Sequence, residues 1–149
     1  MGALSLYEKD FYAWTQEQVK LLKDNSLNKL DIQHLIEEVA DMGKHEKREL
    51  SNRLTVLLSH LLKWKCQPNY INKKSWLYTI KEQRKQIKYH LEDNPSLKNH
   101  EHMHTTLLRS YDAAIYEAAK ETGLEDSSFP ASCEWTIDQI LDDNFFPGS

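Results

Sequence analysis

Residues 31–65 read DIQHLIEEVADMGKHEKRELSNRLTVLLSHLLKWK. Ile32, Ile36, Val39, Leu50, Leu54, Leu57, Leu61 and Trp64 fall in one helical register, so they form a single apolar stripe. Asp31 stands where its carboxylate can accept from the open N–H groups of the first turn. Gly43 lies inside the pattern, at a cost of about 1 kcal/mol relative to alanine. The phase continues through it, which predicts one long helix or two nearly collinear ones. Pro68 closes the run, and NYINKK at 69–74 reads as a loop.

Helical spacing extends on both sides of this segment. Tyr7, Phe11, Trp14, Leu21 and Leu22 predict a helix over 6–23, broken by DNSLNKL. After the loop, Ser75 is placed to cap SWLYTIKEQRKQIKYHLED, with Trp76, Ile80, Ile87 and Leu91 on its stripe. Pro95 opens another predicted helix, carrying Leu97, Leu107, Leu108, Tyr111, Ile115, Ala118 and Ala119 and ending at Gly123. A short helix is expected near 136–141, within an acidic tail that starts at about 125. No strand pair, hairpin signal or internal repeat is visible. The expected fold is all-α: a single-domain helical bundle over 1–149 with long core helices, a short C-terminal helix and no sheet, the tail packing on it.

Composition agrees with a compact helical chain: 149 residues, 40% apolar, 28% charged, with 4 Gly and 4 Pro. No apolar run approaches the roughly 18 residues of a membrane span. The start, MGALSLYEKDF, lacks a basic n-region, an apolar h-region and the hydroxyl residue of a myristoylation signal, Leu6 standing in its place. The expectation is a soluble cytoplasmic protein without a membrane partner. Cys66 and Cys133 have no CxxC spacing and are expected to be buried free thiols.

Several polar residues are out of place on these stripes. Glu46, Arg53 and His60 lie seven apart along the leucine seam, and Arg84 sits between Ile80 and Ile87. A charge taken out of water costs several kcal/mol unless it is paired, so Glu46 or Glu49 is expected to pair with Arg53 or Arg84. In one reading the cluster sets helix register and His60 hydrogen-bonds beside Trp64. In another it is catalytic, because the Arg53-to-His60 spacing resembles the ribonuclease motif of the higher eukaryote and prokaryote nucleotide-binding (HEPN) helical bundles. His60 would then act as general base or acid, with Arg53 and Arg84 holding phosphate. Leu54 stands where a polar residue commonly follows the arginine of that motif.

Residues 63–88 carry Lys63, Lys65, Lys73, Lys74, Lys81, Arg84, Lys85 and Lys88 against Glu82, although the net charge is -4. Glu46, Lys63, Trp64, Trp76, Lys81, Lys85 and Lys88 are therefore binding candidates. The basic stripe can meet solvent, the acidic tail, or RNA phosphates with bases stacked on Trp76 and Tyr78. His100, His102 and His104 lie close in sequence, with Glu101 three before His104, but a di-iron bundle needs that pair twice. The approximate second copy, Asp31 with His34, is better read as a helix cap. Glu37 and Glu38, near His34, Asp41 and His45, read as a solvated face. No metal centre and no cofactor are expected.

Six segments then combine: LYEKDFYAWTQEQ at 6–18, LDIQHLIEEVADMG at 30–43, the REL, HLLKW and QP elements within 48–68, SWLYTIKEQRKQI at 75–87, NPSL at 94–97, and FP...C.WTIDQILDDNFFP at 129–147. Together they resemble the bacterial family catalogued as domain of unknown function twenty-nine. The resemblance implies a small cytoplasmic helical protein and brings no activity or catalytic residues with it. The expected role is a non-enzymatic interaction or regulatory module with a protein partner, Trp14, Trp64, Trp76 and Trp135 serving as core or interface anchors. The alternative is an RNA-binding protein or HEPN-like ribonuclease.

Overall fold

The computed structural model describes residues 4–71 and 73–148. The first three residues of the start, Asn72 of the 69–74 loop, and Ser149 lie outside them. The chain divides into two compact units, 1–44 and 45–149, and one helix runs through both.

In the first unit the predicted helix over 6–23 is two helices, α1 (Leu6–Lys9) and α2 (Phe11–Lys23). Asp10 divides them. Its backbone leaves helical geometry (φ -150°, ψ 87°), and its carboxylate accepts from the Ala13 N–H at 3.0 Å, capping α2. A left-handed Asn25 (φ 57°) and a 3-10 turn, Leu27–Lys29, lead into α3 (Ile32–Cys66). The 35-residue α3 is continuous through Gly43. Asp31 accepts from the His34 N–H at 3.4 Å and from Trp14 Nε1 at 2.9 Å, while its own N–H donates to Gln18 at 2.9 Å. Tyr7 stacks on His34 at 3.9 Å and donates its hydroxyl proton to Glu38. These contacts place α1 and α2 on the His34/Glu38 face of α3.

That docking overturns one expectation. Ile32, Ile36 and Val39, read as buried members of the long stripe, are 54%, 63% and 63% exposed. The face in contact with α1 and α2 is the other one. Burial of the stripe begins only at Leu50.

In the second unit Leu50, Leu54, Leu57, Leu58, Leu61 and Leu62 of α3 pack with Ile80, Ile87 and Leu91 of α4 (Lys73–Asp93) and with Tyr111, Ala114 and Ala118 of α5 (His100–Thr122). Each fully buried leucine contributes about 1.5–3 kcal/mol, so this half of α3 is the anchor. α4 begins two residues before Ser75, and the two lysines read as loop are helical. Pro95 opens a separate 3-10 turn, Pro95–Lys98, and not α5 itself. α5 is capped by Asn99, which accepts from the Glu101 N–H at 3.0 Å. Leu108, placed by its spacing on the apolar face, is exposed. Gly123, at φ 76°, ends α5 in the left-handed region that only glycine enters freely.

The tail carries Phe129, buried in the core, and α6 (Ile137–Leu141), which starts with a Thr136/Gln139 capping box. Tyr111 donates to Pro130 O at 2.6 Å. Cys66 and Cys133 are free but only half-buried, and desolvation pushes both thiols up from their ordinary range. The described residues are helices and connecting turns without a strand, and no helix among them is long and apolar enough to cross a membrane.

Candidate functional site

The steps of three and four that carry Glu46, Glu49 and Arg53 along α3 set them on one flank of the leucine seam. Facing them are Tyr89, His90 and Asp93 of α4, across a cleft of about 420 Å³. His90 is 8% exposed, and its Nε2 lies 2.9 Å from the backbone oxygen of Glu46. A carbonyl can only accept, so Nε2 carries the proton of this bond. The Glu46 carboxylate lies 3.6 Å from Nε2, and the Glu49 Oε2 lies 3.9 Å from His90 Nδ1. One donor atom from each of Glu46, Glu49 and His90 falls within 4.8 Å of the others. The other oxygen of Glu49 accepts from Arg53 Nε and Nη2, both at 3.4 Å, and Arg53 Nη1 donates to Gln83 at 3.3 Å. The expected pairing of a seam glutamate with Arg53 is present, through Glu49.

Arg84 departs from the expected carboxylate pairing. It is 0% exposed, with Nε donating to Ile140 O at 2.8 Å and Nη2 to Phe145 O at 2.7 Å. Its guanidinium lies 5.2 Å from the Phe146 ring centroid, and Nη1 is buried without a partner among the described residues. The reason is positional: the tail covers this part of α4 and offers neutral carbonyls where a carboxylate was anticipated. Burial lowers the pKa of the guanidinium, opposed by Asp143 and Asp142.

His60 is half-buried, and its Nδ1 donates to Val56 O at 2.8 Å, one turn back on α3. Burial lowers its pKa, Lys63 lowers it further, and the Val56 bond and Glu121 act the other way. Lys63 is 3% exposed, with its ammonium on Glu121 and 5.2 Å from the Trp76 ring. The three residues of the catalytic reading therefore stand in three surroundings. Arg53 lies with Glu49 in the acidic cleft, His60 beside Lys63 and Glu121, and Arg84 under the tail.

Among the binding candidates, Trp64 packs on Phe146 at 4.9 Å with Lys73 Nζ 4.3 Å over its ring, and Trp76 stacks on Tyr70 at 4.6 Å. Lys81 and Lys85 are exposed, and with Lys88, Tyr89, Glu92 and Asp143 they line a groove of about 480 Å³. Lys88 pairs with Asp143 at 3.0 Å, and Lys65 pairs with Glu134 at 3.0 Å. His100 and His104 stack at 6.3 Å, both exposed at the start of α5. His34 is bound to Asp31 at 2.6 Å, which raises its pKa, the carboxylate favouring the imidazolium.

The residues that sequence reasoning passed over are His90 and Asp93. His90 stands three after Ile87 and beside Leu91, at the edge of a stripe, which is a signal of partial burial. Its meeting with Glu46 and Glu49 depends on how α4 lies against α3, which periodicity does not report.

A family model described as Domain of unknown function DUF29 matches residues 6–146. No curated protein and no solved structure matches the chain.

Proposed function

The chain belongs to the family described as Domain of unknown function DUF29, and from that premise we propose that it is a non-enzymatic helical interaction module that engages a protein partner through the first half of α3. The observation that carries this reading is the exposure of Ile32, Ile36, Val39 and Met42 on consecutive turns of one helix. Steps of four and three are the anchor spacing with which one amphipathic helix docks on another. Scattered apolar residues on a surface are ordinary, but a contiguous row at this spacing marks an interaction face. The partner implied by that chemistry is a helix with an apolar face of its own.

A photo-reactive phenylalanine analogue at position 39, irradiated in cells, tests this. One discrete adduct, lost when Ile36→Glu is added while the thermal unfolding midpoint stays unchanged, is the expected result. No adduct, or an adduct indifferent to Ile36→Glu, overturns it.

A second reading, RNA binding or HEPN-like cleavage, draws on the groove lined by Lys81, Lys85 and Lys88. Weighing against it, Glu92 and Asp143 share that groove, and Arg84 uses its guanidinium on backbone carbonyls. Short single-stranded RNAs with and without EDTA, comparing the wild type with a folded His60→Ala variant, decide between the two. Cleavage by the wild type alone favours the nuclease.

A further inference from the structure

The cleft between α3 and α4 holds an arrangement of acceptors that a cation would complete. Nε2 of His90 spends its proton on the Glu46 carbonyl, so in the neutral form of the ring the lone pair is on Nδ1, which lies 3.9 Å from the Glu49 carboxylate. In that form two acceptors face each other, beyond hydrogen-bonding distance. His90 is 8% exposed, and its Nδ1 has Glu49 Oε2 3.9 Å away. The lining carboxylates are Glu46, Glu49 and Asp93, against the single guanidinium of Arg53.

We propose that Glu46, Glu49 and His90 bind a divalent transition-metal ion, with Nδ1 of His90 as its nitrogen ligand. Metal bonds of about 2.0–2.2 Å to nitrogen and oxygen set neighbouring ligands roughly 3–3.6 Å apart. The three groups offer one donor atom each within 4.8 Å of one another; Glu49 Oε2 is 3.9 Å from Nδ1, and the Glu46 carboxylate, 3.6 Å from Nε2, is brought to the Nδ1 side by rotation of its partly exposed side chain. The surrounding bonds are those that hold metal ligands in place. A ligating histidine commonly donates its other ring N–H to a backbone carbonyl, as Nε2 does to Glu46, and a ligating carboxylate is itself hydrogen-bonded, as Glu49 is by Arg53. One imidazole and two carboxylates suit Zn²⁺, Fe²⁺ or Mn²⁺ over soft thiolate-seeking ions. The cleft leaves further coordination positions open to water. The competitor for the same lone pair is a proton, which would make His90 an imidazolium between the two glutamates.

Calorimetric titration of the full-length protein with Zn²⁺ alone, repeated with Mn²⁺, tests the site. The exposed His100, His102 and His104 are first replaced together by glutamine, since they can take up metal on their own. The expected result is one equivalent bound by this triple variant, with affinity falling at least tenfold on adding Glu49→Gln or His90→Gln. A triple variant that binds nothing reduces any wild-type signal to an adventitious ion only and overturns the proposal, as does unchanged binding by Glu49→Gln. If His90→Gln fails to fold, the ring-nitrogen resonances of His90 in the wild type decide: a Zn²⁺-induced shift at Nδ1 is expected, and a proton still on Nδ1 at saturating Zn²⁺ refutes it.

Discussion

Replacing Arg84 by methionine keeps much of the apolar stem and removes the guanidinium that holds the tail. Ile140 O and Phe145 O lose their donors at 2.8 and 2.7 Å. An acceptor left unsatisfied in a buried place costs about 1–3 kcal/mol, so the pair costs about 2–6 kcal/mol. Losing the contact with the Phe146 ring at 5.2 Å adds roughly 0.5–2 kcal/mol. Against this stands relief from desolvating a cation that is 0% exposed, several kcal/mol in its favour. The net expectation is a loss of about 3 kcal/mol, or about 1.5 M in urea midpoint at a slope of ~2 kcal/mol per M. Arg84→Lys, which keeps one donor within reach, should lose about half as much. Urea unfolding followed by circular dichroism measures the global change, and limited proteolysis within 137–146 measures release of the tail. A loss below about 0.5 kcal/mol for Arg84→Met, with the tail still protected, would refute the reasoning and mean that apolar contacts such as those of Ile140 hold the tail alone.

Other outcomes follow from single contacts. Glu121→Gln strands the 3% exposed Lys63 ammonium and should cost about 1–3 kcal/mol, whereas Lys63→Met should change stability by less than about 1 kcal/mol; the reverse order of urea midpoints would show that the ion pair is itself the stabiliser. Gly43→Ala should raise stability by about 0.5–1 kcal/mol, since an added Cβ meets nothing within 4 Å and the helix is continuous there; a lower melting midpoint would contradict this. His34 has a raised folded-state pKa, chiefly through its hydrogen bond to Asp31 with help from Glu37 and Glu8, and Asp31 has a lowered one, chiefly through the same bond. The histidine contribution is therefore full below about pH 6.5 and is lost as pH rises through its raised pKa. The aspartate contribution is present above about pH 3.9 and is lost as pH falls through its lowered one. Amide exchange of α1 and α2 should be slowest between those limits, and a His34 titration midpoint at or below 6.5 by NMR would refute the assignment.

How much of the site was legible depended on whether a signal was local. The stripe from Leu50 to Leu61, the alternation of long helices and turns, the capping role of Asp31 and the stop at Gly123 are properties of neighbours in sequence, and they survive in the structure. The Glu49–Arg53 pair was also within reach, because a step of four along a helix brings two side chains together whatever else the chain does. The break at Asp10 was missed because helical spacing of apolar residues passes through a residue that caps one helix and ends another.

By itself the sequence determined a helical chain with one long helical stripe over 31–65, as one helix or two nearly collinear ones, and a set of charged residues lodged along an apolar seam; the structure made it one continuous helix. The sequence also determined which faces were available for burial. Tertiary structure decided which of them were used. Ile32, Ile36 and Val39 carry the same periodic signal as Leu50, Leu54 and Leu57, yet α1 and α2 dock on the side away from the first group, which meets solvent, while α4 and α5 bury the second. It also decided that Arg84 meets the carbonyls of Ile140 and Phe145, and that His90 meets Glu46 and Glu49. The physical reason is common to all of these: periodicity gives the angle of a side chain about its own helix, whereas the partner across the gap depends on how distant segments come to lie against it.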